Sequence, residues 1–216
     1  MKKPGIDGIK DLEWDPEDEG LYGYYDDKDN NSGPVGDWFA SHKSVIEDLS
    51  SKRGRSVIQA GGAFGMYPLL LNKYYDNVYT FEGSSNNFKY LRENLKGTDV
   101  NYYHKILGNK YELATITTPS HKNKGMNRIG DLDPNDYTHM MKIDGYDFHN
   151  VDLIWLDVEG YEYEAIMGAR ETIEAYKPFI GVERPCQSLI NFLEEREYSV
   201  YKKSKMDVFF KFDGVQ

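Results

Sequence analysis

Two stretches of the chain set chemistry-bearing residues at the ends of apolar runs. In the first, SVIQA (Ser56–Ala60) leads into GGAFG, so that Gly61, Gly62 and Gly65 precede an apolar segment starting at Met66. A glycine-rich turn between a strand and a helix lets backbone approach a ligand closely and aims the first amides of the helix at it. About twenty residues on, the spacing this arrangement requires, Glu82 ends the run NVYTFE, where a carboxylate can accept both hydroxyls of a ribose. Turn and carboxylate together indicate an adenosine-containing cofactor. The plainer alternative is a turn that serves helix packing and a solvated glutamate. In the second stretch, VDLIWLDVEG, Asp157 and Glu159 follow an apolar run, and Glu183 ends a third one, FIGVE. Carboxylates so placed can orient a bound hydroxyl and take its proton. Asp157 and Glu159 can equally cap a helix beginning at Tyr161.

Other constellations carry less. A nicotinamide fingerprint needs glycine where Ala60 stands, and the YxxxK pairs Tyr24/Lys28 and Tyr198/Lys202 fall on no helix beside the glycine turn. His104 points toward the same edge, whereas His42, His121, His139 and His149 lack metal spacing. Asp157 and Glu183 are hard oxygen ligands of the kind a divalent cation takes, but no metal is assigned. Lys202, Lys203 and Lys205 read as a solvated turn.

The elements that must position these residues alternate. A helix is expected from Asp37, its N-cap, with Phe39, Val45, Ile46 and Leu49 on the apolar side. Strands follow at Ser56–Ala60, Asn77–Glu82, Val100–Leu107, Val151–Asp157 and Phe179–Glu183, separated by helices at Met66–Tyr75, Asn86–Leu95 and Tyr161–Tyr176. A helix at Ser188–Glu195 and paired strands at Tyr198–Tyr201 and Val208–Phe212 close the chain. This pattern predicts a mostly parallel sheet covered by helices on both faces, with an antiparallel C-terminal edge. The segment from Gly108 to His149 reads as one extended piece, YELATITTP, and polar loop, the place for substrate contacts.

The 216 residues fit one domain, expected over 37–216, behind an acidic arm at 1–36. Met1 to Gly33 holds ten acidic and four basic residues, yet also Trp14, Tyr22, Tyr24 and Tyr25, more aromatic surface than a solvated tail needs, so a lid is an alternative to disorder. A formal charge of −10 argues against a nucleic-acid partner. The single cysteine, Cys186, excludes an internal disulfide and a thiolate zinc site, and a reducing, cytoplasmic setting is expected. Neither a secretory signal nor a spanning apolar run is seen, so a soluble protein without membrane contact is expected.

The runs VIQAGGAFGMYPLLL, VYTFEGSSNNFKYLRENL, VDLIWLDVEGYEYEAIMGARETI and KPFIGVE, spread over Ser56 to Glu183, resemble the FkbM family of S-adenosylmethionine-dependent methyltransferases. The block LDVEGYE with its downstream GA and KP is the most specific part. The resemblance implies a class I methyltransferase, Rossmann-like fold and methyl transfer to a hydroxyl of a sugar, glycan or small metabolite. It implies that Gly61, Gly62, Phe64 and Gly65 line the methionine end of the cofactor, that Glu82 holds the ribose, and that Leu107 and Gly108 lie near the adenine. Asp157 and Glu159 would face the sulfonium and the acceptor; Glu183, read from its place at the end of FIGVE rather than from the resemblance, could hold a substrate hydroxyl or join Asp157 at a divalent cation. Gln59 replaces the family's acidic residue, Ala63 its Asn and Gly83 its Pro; Gln59 can still accept a hydrogen bond from the cofactor's ammonium, without the charge. Two alternatives stand beside this one. N-methylation of a nucleobase or protein would ask for DPPY or NPPY where the chain has DVEG, and a non-catalytic binding module would suit the altered first loop.

Overall fold

The computed structural model describes residues 2–3, 9–18, 34–117, 126–130 and 135–214. Strands β1 (Lys2–Lys3) and β2 (Leu12–Glu13) pair antiparallel. Helix α1 (Pro34–Lys52) leads to β3 (Ser56–Ala60), α2 (Met66–Leu71), β4 (Asn77–Glu82), α3 (Ser85–Leu95) and β5 (Asn101–His104). A small sheet follows, made of β6 (Ile106–Leu107), β7 (Glu112–Thr117), β8 (Arg128–Ile129) and β9 (Tyr137–Met141). The chain returns through β10 (Val151–Leu156), α4 (Glu162–Met167), α5 (Arg170–Tyr176), β11 (Phe179–Glu183), α6 (Gln187–Glu194), β12 (Tyr198–Ser204) and β13 (Asp207–Phe212).

The main sheet has the order β12-β13-β11-β10-β3-β4-β5. Its five strands from β11 to β5 run parallel, and β13 lies antiparallel between β11 and β12. Every residue of β3 and of β10 is buried, as expected of interior parallel strands covered on both faces. Successive side chains go to opposite faces: Val57 joins Leu70, Leu91 and Trp155 on one side, while Ile58 joins Leu156, Ile166 and Ile180 on the other. The chain winds outward in both directions from β3 and β10, so the crevice between their carboxyl ends is the topological switch point where open α/β sheets bind ligands. The mostly parallel sheet with its antiparallel C-terminal edge is the expected fold class.

Several boundaries differ from the expectation for tertiary reasons. Helix α1 starts at Pro34 rather than Asp37. The expected third strand divides at Lys105, β5 staying in the main sheet and β6 entering the small one. The long helix after β10 breaks at Gly168 and Ala169, where a Cβ on Gly168 would collide with the Gly108 carbonyl. The second half is restarted by Asp144, whose carboxylate accepts from the amides of Glu171 at 3.0 Å and Thr172 at 2.9 Å. The stretch expected to be mostly loop supplies β7, β8 and β9, and the part of it at 118–125 and 131–134 lies outside the described residues.

Part of the acidic arm belongs to the core. Leu12 and Trp14 are buried in the cluster that contains Phe39 and Leu70. Asn94 holds the Glu13 backbone as a strand would, its Oδ1 accepting from the amide at 2.6 Å and its Nδ2 donating to the carbonyl at 2.8 Å. Tyr22, Tyr24 and Tyr25 lie outside the described residues, and no described helix is long and apolar enough to cross a membrane.

The amino end of β10 is clamped by charge. Asp152 is fully buried and accepts from Arg53 Nε at 3.1 Å, from the Arg55 amide at 2.8 Å and from Arg55 Nε and Nη2 at 3.0 and 2.6 Å. Burial alone would raise its pKa, but the Arg55 hydrogen bonds and the Arg53 charge outweigh it and hold the carboxyl below its ordinary 3.8. Its contribution to stability is therefore present above that value and fades as pH falls through the lower folded one. Asp152→Ala strands two guanidinium groups and should cost about 3 kcal/mol in urea denaturation; a loss within about 0.5 kcal/mol, the range of ordinary surface changes, would show the clamp to be dispensable.

Candidate active site at the carboxyl edge of the sheet

A cavity of about 350 Å³ opens at the switch point and follows the carboxyl edge of the sheet from β4 to β13. Its volume is at the small end of the range for cofactor and substrate pockets.

The first wall is the turn after β3. The amides of Gly61 and Gly62 both donate to the Phe81 carbonyl at 3.0 Å, tying the turn to β4. Gly61 has φ +86°, and a Cβ there would fall on the backbone oxygen of Asp157; a Cβ on Gly62 would meet Leu91 and Thr80. Gly61, Gly62, Ala63 and Phe64 line the cavity. Gly65 does not; with φ +91° it turns the chain into α2. Ala63 adopts φ +44°, a left-handed conformation in which asparagine is far better tolerated than alanine.

Gln59 departs from expectation. It is buried beneath the turn, its Nε2 donates to the carbonyls of Ala60 and Gly61 at 3.1 and 2.9 Å, and its Oε1 accepts from Thr80. Both ends of the amide are used inside the protein, so the structure gives Gln59 the work of holding the turn and does not bring it to the cavity. Leu107 lines the cavity, but Gly108 does not: it packs against Met140, and its amide donates to the Met141 carbonyl at 2.9 Å.

Glu82 faces the cavity from the tip of β4. One carboxylate oxygen accepts from the Ala63 amide and the other from the Ser84 amide, each at 2.8 Å. Burial pushes its pKa up to about 7 against these amides, with Asp136 adding repulsion. Asp136 also anchors the start of α3, accepting from Ser85 N at 2.9 Å and Ser84 Oγ at 3.1 Å.

Asp157, Glu159 and Glu183 gather at the middle of the cavity, with carboxylate oxygens within 4.8 Å of one another. Such a set suits a divalent cation or a positively charged ligand. Burial, then Glu183, Asp207 and Glu159, raise the Asp157 pKa well above the usual range, and burial raises that of Glu183 as well. Burial and the closeness of the carboxyls to one another thus leave both Asp157 and Glu183 above the ordinary carboxyl range. Capping of the following loop falls to Glu162, whose Oε1 accepts from the amides of Val158 and Gly160, both at 3.1 Å.

The far wall was not foreseen from sequence. His42 of α1, Tyr67 of α2 and Asp207 of β13 all line it, with Trp38. His42 is buried, with Nδ1 2.8 Å from Tyr67 Oη and Nε2 2.9 Å from Asp207 Oδ2; Trp155 Nε1 donates to Asp207 Oδ1 at 2.7 Å. One signal was available: His42 interrupts the apolar stripe of Phe39, Ile46 and Leu49, all buried. Nothing local marks Asp207. His104 stacks on Phe88 and bonds the Gly83 carbonyl at 2.9 Å, away from the cavity lining. Trp14 of the arm also joins the wall, 4.4 Å from Phe64 between ring centres.

Comparison with known proteins agrees with this architecture. The chain is similar to the crystal structure of methyltransferase FkbM from Methylobacillus flagellatus KT, with 17% identity and a TM-score of 0.55 over 74% of this chain and 43% of that one. It therefore spans less than half of that relative's length. It also resembles, more distantly, the O-methyltransferase from Bacillus cereus in complex with SAH, with 10% identity and a TM-score of 0.48 over 88% and 84% of the two chains. No curated protein matches significantly by sequence. The family model for the methyltransferase FkbM domain matches residues 60–201, from the glycine turn to the C-terminal edge, and the chain thus belongs to that family.

Proposed function

We propose that the chain is an S-adenosylmethionine-dependent methyltransferase acting on a hydroxyl of a sugar, glycan or other small metabolite. Glu82 carries this reading: a buried carboxylate, steadied by two amides at a strand tip beside the switch point, faces a cavity where the ribose of a nucleoside cofactor would present two hydroxyl donors. When bound, S-adenosylmethionine supplies a methyl group on a positively charged sulfur. The turn from Gly61 to Phe64 would hold its methionine end, Glu82 its ribose and Leu107 the side of its adenine. Asp157, Glu159 and Glu183 put negative charge beside the sulfur and orient the acceptor hydroxyl.

The acceptor side combines carboxylates with the rings of Trp38 and Tyr67, and the arm contributes Trp14. Apolar surface with a few convergent polar groups suits a small polar ring such as a sugar. Alignment of donor and acceptor can supply about 7–11 kcal/mol of the barrier, so positioning by these walls is the larger part of catalysis. The loss of an acid at Gln59 does not argue for an inactive module, because that side chain is engaged beneath the turn.

Three outcomes follow from the site. Glu82→Ala should weaken S-adenosylmethionine in calorimetry by roughly 10²-fold or more, the value of two hydrogen bonds to a charged group; unchanged affinity removes the ribose assignment. Wild-type affinity should rise from pH 6 to pH 8 as Glu82 ionises near 7, while the ligand-free protein loses this group's contribution to stability between its ordinary 4.5 and about 7. Glu82→Gln should flatten both curves. Asp157→Asn should lower methyl transfer to hydroxylated sugars by roughly 10²-fold, the cost of a misplaced reactant, and leave the melting curve intact; full activity would confine Asp157 to structure.

A further inference from the structure

We propose that Tyr67 is a catalytic residue that takes the proton of the acceptor hydroxyl, and that His42 and Asp207 are positioning residues that hold it ready to do so. The inference rests on the methyltransferase reading above and deepens its acceptor side.

The polarity of the hydrogen bonds carries it. Trp155 Nε1 can only donate, and it does so to Asp207 Oδ1 at 2.7 Å. The other Asp207 oxygen lies 2.9 Å from His42 Nε2. A carboxylate only accepts, so Nε2 bears a proton, and in the proposed tautomer Nδ1 keeps its lone pair. Tyr67 Oη, 2.8 Å from Nδ1, must then be the donor. With its proton committed to His42, the phenol oxygen of this cavity-lining residue can only accept from a further partner, which suits a substrate O–H. The rings are fixed: Tyr67 packs on Trp155 at 4.8 Å between centres and on Phe39 at 6.0 Å, and His42 lies 5.3 Å from Trp155.

In the step, the acceptor oxygen forms its bond to the methyl group as the sulfur–methyl bond breaks, and the sulfur keeps that electron pair. The acceptor's proton moves to Tyr67 Oη while the phenol's own proton moves to His42 Nδ1. Asp207 balances the resulting imidazolium.

The test uses the full chain. In nitrogen-15 spectra of labelled histidine, with His42 assigned by loss of its signals in His42→Gln, Nε2 should appear protonated and Nδ1 unprotonated. The reverse tautomer, or two protonated nitrogens at neutral pH, would overturn the proposal without touching the methyltransferase reading. Tyr67→Phe keeps the ring packing, so it should bind S-adenosylmethionine as the wild type does, yet methylate a panel of methyl glycosides at least about 10²-fold more slowly, the lower range for a lost general base. Transfer at the wild-type rate would sink the role of Tyr67 alone. Failure of the wild type to bind S-adenosylmethionine in calorimetry would instead take down the underlying reading.

Discussion

The site depends on one backbone contact, the passage of Gly61 against the Asp157 carbonyl. Strands β3 and β10 are neighbours in the sheet but diverge in connectivity, and the loops leaving them must cross at close range. The Asp157 amide donates to the Ala60 carbonyl at 3.1 Å, extending the ladder one residue beyond the strands. Only a residue without a Cβ allows the turn to pass there. The glycines thus serve packing and at the same time keep the turn open along the cavity they line.

Around this crossing the protein accepts local cost. Ala63, Glu159 and Arg184, each just beyond β3, β10 and β11, hold left-handed backbone conformations with φ of +44°, +52° and +44°. All three line the cavity. Strained backbone persists where surrounding structure overdetermines it, and these residues place part of it at the carboxyl rim of the sheet. The buried carboxylates there add electrostatic cost of the same kind: Glu82 and Asp157 are less acidic than in water because the fold has removed their solvent. The opposite end of β10 has the compensating arrangement, in which every oxygen of Asp152 is met by arginine.

How far the fold was legible follows from where information sits in a chain. Strands β3, β4 and β11 begin and end where the apolar runs do, and β10 differs only at its last residue, because interior parallel strands leave no polar alternation to blur their ends. The glycine turn and the strand-tip carboxylate that line the cavity were legible for the same reason, since Gly61 and Glu82 are punctuation at strand tips. The far wall was not: His42 and Asp207 meet across 165 positions, and their pairing exists only after the antiparallel edge has folded back beside β11. Gln59 shows a limit of residue type as a guide, since the register opposite Thr80 gives it an internal partner that no local pattern announces. The breaks at Lys105 and Gly168 are likewise tertiary, imposed by a second sheet and by the Gly108 carbonyl.

That second sheet is built almost as a separate part. Ile106, Ala114, Ile116 and Met140 form their own apolar cluster, and the chain enters and leaves it between β5 and β10 without contributing a strand to the main sheet. It nevertheless presents Ile106, Ile116 and Ile129 to the cavity. A wall with an independent core is exchangeable: it can be lengthened, shortened or recomposed while the crossing of β3 and β10 stays as it is. This insertion is therefore a unit of the fold whose change need not disturb the other walls of the cavity.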